Sequence, residues 1–282
     1  MIRFSCHSEN FGVRPMKETY ALIRTLGYDA VDHATRSLTP QPRLIEHPLQ
    51  TAETVRACAE RHELALSELF LDAVQVDGVP VDPADPRAQS DPAFWQNFDA
   101  ICRFAAAAGF GSIMGAPGKL QPDQRFEEGF ANAAAVLQRQ SIIAAEYGIA
   151  MHVEPPRVSL LQRPEDALRM VCEAAPALRY TMDFLHFVVG GHPLEESIRL
   201  LPYAGHLHIR QARAEGGKCR FEDGTIDYAA IVRELVRLGW SKDICSEFWC
   251  SREMFEAGID PFEENLTMRC HFKALMRKHG LR

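Results

Sequence analysis

The sequence predicts an α/β chain folded as a single-domain (β/α)8 TIM barrel spanning residues 1–282. Three observations lead there. Eight short, mostly apolar runs alternate with eight amphipathic helical stretches, the pattern of parallel strands buried on both faces. Glycine recurs where a helical stretch gives way to a β-type run: Leu26-Gly27-Tyr28, Ala108-Gly109-Phe110, Tyr147-Gly148-Ile149 and Leu238-Gly239-Trp240, with Ala204-Gly205-His206 as a polar variant. Glycine just past a helix takes the left-handed conformation without a Cβ penalty, so each marks a tight helix-to-strand junction. Finally, the strand-to-helix connections 34–50, 71–92 and 116–126 are long and rich in Pro, Asp, Gln and Gly. In a barrel these lie at the C-terminal ends of the strands, where chemistry is found.

In chain order, strands are expected over residues 2–6, 30–33, 64–70, 112–115, 149–154, 180–183, 206–209 and 243–248. Each is short and dominated by apolar side chains, as both-face burial requires. Helices are expected over 16–26, 51–61, 94–108, 127–147, 164–174, 194–201, 228–238 and 262–279, where apolar residues recur at helical spacing. The segment 71–92, with Pro80, Pro83, Pro86 and Pro92, is a candidate lid, and an inert exposed loop reads equally well. A doubly wound open sheet would carry a glycine-rich phosphate loop after its first strand. Here Ser-Glu-Asn-Phe-Gly follows instead, and neither GxGxxG nor GxxxxGK[ST] occurs.

Composition narrows the function classes. Hydrophobic residues make up 46% and charged residues 24%, an ordinary soluble balance. A net charge of -7 argues against a nucleic-acid or anionic-membrane partner, since both want a basic face. No apolar run reaches the roughly 18–20 residues of a membrane span. The start, Met1-Ile2-Arg3-Phe4-Ser5-Cys6-His7, does not read as a signal peptide. The eight cysteines are scattered without a CxxC pair, which suits a reduced, cytoplasmic protein.

The strand ends carry the expensive groups. Strand five closes on Glu154, strand six on Asp183, strand seven contains His206 and His208, and strand eight runs through Glu247. Neighbouring strand ends in a closed barrel are adjacent, so Glu154, Asp183, His208 and Glu247 should converge. Three gathered carboxylates repel one another and are costly to desolvate. A divalent cation relieves both costs, and one imidazole with carboxylates is a hard donor set suited to Mn²⁺ or Mg²⁺, with Co²⁺ or Zn²⁺ also compatible. The competing reading pairs the carboxylates with arginines, since Arg157, Arg210 and Arg213 lie close in sequence.

Glu154 with Pro155, Asp183-Phe-Leu-His186, His206-Leu-His208 and Glu247, together with Gly27-Tyr-Asp-Ala-Val-Asp32 and Gly224-Thr-Ile-Asp227-Tyr228, resemble the xylose-isomerase-like TIM barrels of the sugar phosphate isomerase/epimerase family. The order and spacing of these short motifs carry the resemblance, which runs over essentially the whole chain. It implies that Glu154, Asp183, His208 and Glu247 are metal ligands. It implies also that Glu154 and Glu247 are the catalytic acid/base pair and that His186 approaches substrate oxygens. The chain departs from the family where His208 continues into Ile209-Arg210-Gln211-Ala212-Arg213, because free-ketose 3-epimerases commonly carry an acidic residue at the place of Gln211. Arg210 and Arg213 beside the site suggest a substrate bearing a carboxylate or phosphate, with surface solvation or pairing to Glu215 as the plainer reading. Endonuclease-type relatives need histidines at the ends of strands three and four. Those ends read Ser67-Glu68-Leu69-Phe70 and Ile113-Met114-Gly115-Ala116, which argues against nuclease activity.

The resulting expectation is a divalent-metal-dependent isomerase or epimerase acting through an enediolate on a ketose, keto-sugar or sugar acid. A decarboxylase or dehydratase of an oxo-sugar acid is the alternative, and a non-catalytic carbohydrate-binding barrel a third. The expected partner is a small carbohydrate or sugar acid, and a homo-oligomer stays open. His7, His33, Glu68 and Trp249 are secondary candidates for the pocket wall, whereas His152 is expected to lie one layer deeper.

Overall fold

The computed structural model describes residues 2–281. Eight parallel strands close into a barrel: Phe4–His7, Ala30–Ala34, Ala65–Asp72, Ser112–Gly115, Ala150–Val153, Arg179–Asp183, Ala204–Ile209 and Ile244–Ser246. The eighth pairs with the first through Phe4↔Ile244, Ser5↔Cys245 and Cys6↔Ser246. These are the eight expected strands, with ends displaced by a few residues. Glu154 and Glu247 fall just past their strands, at the start of the loops above them.

The helices form the outer layer, and their ends show why they start and stop. Asp91 accepts from the Ala93 amide ahead of helix Pro92–Ala108, and Asp260 does the same for Phe262 ahead of Pro261–His279. Helix Pro92–Ala108 then turns Phe94, Phe98, Ile101, Cys102 and Ala105 onto the barrel and buries all five. Each large side chain there contributes about 1.5–3 kcal/mol by leaving water. Gly27, Gly109, Gly148 and Gly239 adopt positive φ at the helix-to-strand junctions, as expected. Gly205 does not. It lies inside the seventh strand, where a Cβ would stand 2.0 Å from His152 Nε2, so its role is close approach rather than a turn.

Other elements differ from expectation. The stretch 164–174 starts as helix Pro164–Arg169 but widens into a π turn, Met170–Ala174, just ahead of Pro176. Helix Leu194–Ile198 ends early, and Pro202 sits in a separate 3₁₀ turn, Leu201–Tyr203. The segment 71–92 has secondary structure of its own. It holds an antiparallel hairpin, Val74–Val76 with Val79–Val81, and a short helix, Pro86–Ser90. Asp77 and Gly78 form the turn with φ of 52° and 77°, the pair of positive values that a two-residue hairpin loop of this hand needs. The segment 34–50 likewise contains helices Thr35–Leu38 and Gln41–Glu46. No helix among the described residues is long and apolar enough to cross a membrane.

A polar layer crosses the barrel interior. Glu68 on the third strand takes hydrogen bonds from Ser112 (2.9 Å) and Thr181 (2.8 Å) and contacts His152 Nδ1 at 2.6 Å. Asp32 on the second strand meets His206 Nε2 at 2.7 Å across the barrel. These side chains are buried, so each carboxylate survives there only because partners from distant strands surround it.

Candidate metal centre and active site

Above this layer the last four strands deliver the expected groups. Single donor atoms of Glu154, Asp183, His208 and Glu247 all lie within 4.8 Å of one another, and all four residues are buried. Two devices orient them. Asp183 spends Oδ1 on the Leu185 amide at 2.8 Å, capping helix Phe184–Val189 and leaving Oδ2 for the site. His208 turns Nδ1 to Glu154 Oε1 (3.1 Å) and Glu247 Oε2 (3.0 Å), while Nε2 faces Asp32 Oδ2 at 3.4 Å. A carboxylate behind a ligating imidazole fixes the tautomer that frees the opposite nitrogen.

Arg210 enters the same cluster. Its guanidinium contacts Asp183 Oδ2, stands 3.1 Å from Glu247 Oε2 and reaches His186 Nε2 at 3.3 Å. Asp183 Oδ2, Glu247 Oε2 and Arg210 Nε are nevertheless buried without a hydrogen bond, so the guanidinium approaches the carboxylates but does not align with them. With His208 neutral, as a metal-ligating imidazole must be, three carboxylates less one guanidinium leave two negative charges (3 − 1 = 2). Without an ion, the surrounding carboxylates raise the His208 pKa well above its ordinary value against the opposing effect of burial. A divalent ion complements that charge, and the two orphaned oxygens are suitable donors for it. The donor set therefore fits a hard divalent cation.

The electrostatics agree. Burial opposes ionisation of Glu154, but neighbouring His186 and His208 outweigh it and hold the carboxyl well below its usual range. For Glu247, burial is again overcome, here by Arg210 and His208, and the group is brought down to about 2. Asp183 is raised, because burial and the nearby Glu154 and Glu247 outweigh Arg210. A second buried group, Asp32, His206, His208 and Cys245, shares His208 with the first. Burial pushes the Cys245 thiol far up and Asp32 is already engaged by His206, so this group reads as a hydrogen-bonded support.

Above the cluster lies a cavity of about 550 Å³, floored by His186 and Arg210 and walled by Lys218, Trp249, Leu185, Val189 and Met254. Arg157 stands at its exposed rim. Arg213 is exposed and does not line it. Lys218 was missed in the sequence. It sits on the hairpin pairing Ala212–Arg213 with Gly217–Lys218, with Nζ 3.6 Å from the centre of the Trp249 ring. Burial and Arg210 lower its pKa to about 8. Asp32 was missed as well. His33 lies away from the site, bonded to Tyr20 (2.7 Å) and Thr39 (2.9 Å), and His7 packs edge-on against Phe70.

A family model described as xylose isomerase-like TIM barrel matches residues 20–270. The chain belongs to this family. Solved structures of the same fold include an L-ribulose 3-epimerase at 19% identity and TM-score 0.73, covering 100% of this chain and 98% of that one. A 3-keto-D-glucoside 4-epimerase from E. coli aligns at 16% identity and TM-score 0.72, over 97% of this chain and 100% of that one. The IolI protein, solved with a bound zinc, aligns at 16% identity and TM-score 0.74, over 99% of each. At these identities the likeness establishes the fold. No protein of curated function matches the chain.

Proposed function

We propose that this protein is a divalent-metal-dependent sugar isomerase or epimerase. One observation carries the reading: donor atoms of Glu154, Asp183, His208 and Glu247 converge within 4.8 Å, with two carboxylate oxygens left without hydrogen bonds. Those four residues would hold the ion. When bound, a divalent ion would polarise a substrate carbonyl and its neighbouring hydroxyl and so stabilise an enediolate. Mn²⁺ or Mg²⁺ suits the donor set best, and the zinc of the IolI structure keeps Zn²⁺ in view.

The chain's own groups supply the rest. Glu154 and Glu247 come from the fifth and eighth strands and approach from different sides of the barrel. One would take the carbon-bound proton and the other return it for epimerisation, or one would carry it between carbons for isomerisation. His186, 3.5 Å from Glu154 Oε2 and on the cavity floor, would meet substrate oxygens. Arg210 shares that floor, so it must shift or bind the substrate as a sugar reaches the carboxylates. The sugar-epimerase neighbours support a carbohydrate as substrate.

Metal-loaded protein incubated with ketoses and sugar acids in deuterium oxide should place deuterium on the substrate carbon skeleton. Glu247→Gln should slow that exchange by about 10²–10⁴-fold. Exchange that is absent across the panel, or unaffected by E247Q, overturns the reading. The cationic cavity favours one rival, decarboxylation of an oxo-sugar acid, which carbon dioxide release in the same assay would reveal.

A further inference from the structure

The cavity over the carboxylate cluster has a one-sided lining. Arg157, His186, Arg210 and Lys218 face it and no carboxylate does, on a chain whose net charge is -7. The cations are not equivalent. Arg210 is engaged from below by Asp183 and Glu247, so much of its charge is already matched. Lys218 is not matched. Its ammonium donates to the Trp249 backbone carbonyl, lies over the Trp249 ring and takes no carboxylate partner among the described residues. Arg157 at the rim likewise has no ion-pair partner among the described residues. A half-buried lysine without a counter-charge is costly to keep, and an anionic ligand group would relieve that cost.

Position adds the second half. Lys218 is held by a two-strand hairpin whose Gly216 and Gly217 take φ of 93° and 77°, and that hairpin lines the cavity through Gly216, Gly217 and Lys218. Trp249 follows Glu247 by two residues and forms the facing wall, so its flat ring is available to a sugar while its π face steadies the ammonium. A sugar with one end on the carboxylate cluster would point its far end at Lys218 and Arg157.

We infer that the substrate is an anionic carbohydrate, a sugar acid or sugar phosphate rather than a free ketose, and that Lys218, assisted by Arg157, selects it through the charged group distal to the carboxylate cluster. This rests on the functional reading above, but its test is equilibrium binding and needs no turnover.

The probes are D-fructose, D-fructose 6-phosphate and D-fructuronate, which share a six-carbon skeleton and differ at the terminal group. Their dissociation constants would be measured calorimetrically on Mn²⁺-treated protein. At least one anionic probe should bind roughly 10- to 100-fold tighter than D-fructose, the worth of a hydrogen bond to a charged group. The phosphate and carboxylate arms tell which anion is preferred. Lys218→Met should collapse the anion-to-neutral ratio towards one, and Arg157→Gln should reduce it in part. Lys278→Met, the same charge change on an exposed site of the last helix, should leave the ratio as in the wild type and controls for net charge. Equal binding of all three probes, or a ratio that survives K218M, overturns the inference. Anion-selective binding without deuterium exchange would instead sink the isomerase reading and leave this one standing. Exchange on D-fructose without anion preference would do the reverse.

Discussion

Asp32 offers the sharpest perturbation of the candidate centre, because it does not line the cavity and yet stands behind His208, a candidate ligand. Its carboxylate receives His206 Nε2 at 2.7 Å and faces His208 Nε2 at 3.4 Å. Among the described residues, the one other acceptor in ion-pair range of that nitrogen is Glu68 Oε2, at 4.0 Å. Asp32→Asn keeps the shape and removes the charge, and the amide oxygen can still serve His206. His208 then loses the anion that raises its basicity and fixes its tautomer, while all four candidate ligands remain. Removing such a partner typically lowers metal affinity about 10- to 100-fold, which is about 1.4–2.7 kcal/mol. Calorimetric titration of chelator-stripped D32N with Mn²⁺, beside the wild type, reads this directly. Circular dichroism confirms that the barrel is intact. If D32N binds Mn²⁺ with the wild-type constant, within about twofold, then His208 is not held through Asp32 and the reasoning fails.

Three more outcomes follow from the geometry. Arg210→Met should destabilise the metal-free protein by about 3–5 kcal/mol, since Asp183 and Glu247 lose the guanidinium they share, and Mn²⁺ should restore more stability to the variant than to the wild type in thermal melts. Equal metal-induced shifts would contradict this. Gly205→Ala should cost about 3 kcal/mol or more in urea unfolding, because its Cβ would stand 2.0 Å from His152 Nε2; wild-type stability would show that the His152 layer yields. Burial brings His33 from its ordinary value near 6.5 down to about 3, so between those values the unfolded chain holds the extra proton. The stability His33 contributes is complete above about pH 6.5 and declines as pH falls towards 3, by up to about 1.4 kcal/mol per pH unit. His33→Gln should flatten the pH dependence of unfolding in that window, and an unchanged slope refutes the assignment.

Much of this was legible beforehand, for reasons that differ by residue. The barrel could be read because the barrel strands are largely buried on both faces and the long outer helices on one, which leaves two separable periodicities in the chain. Glu154, Asp183, His208 and Glu247 stood out because each puts an ionisable group at the end of an apolar run. Asp32 did not stand out, and Glu68 reads in sequence as a pocket-wall candidate rather than a buried support, since their partners lie far away in sequence: His206 on the seventh strand and His152 on the fifth. Nothing local distinguishes a carboxylate satisfied across a barrel from one facing water. The hairpin over 74–81 was a different kind of miss. Asp77-Gly78 between alternating valines is a strong local turn signal, overshadowed by the prolines around it. Lys218 was hidden because its burial depends on how the 212–218 hairpin folds back against Trp249. In sequence Arg210 reads as a substrate contact or as a partner of the carboxylates; the guanidinium lies on the cavity floor against both Asp183 and Glu247.

The layer formed by Glu68, Ser112, His152 and Thr181 draws one side chain from each of the third to sixth strands, and Gly205 of the seventh makes room for it. It behaves as a keystone: none of its members can be exchanged alone without stranding a neighbour. Redesign of this protein for a different ligand therefore has freedom in the rim loops and the 212–218 hairpin. Transplanting those loops to a foreign scaffold would succeed only if this interlocking course travelled with them.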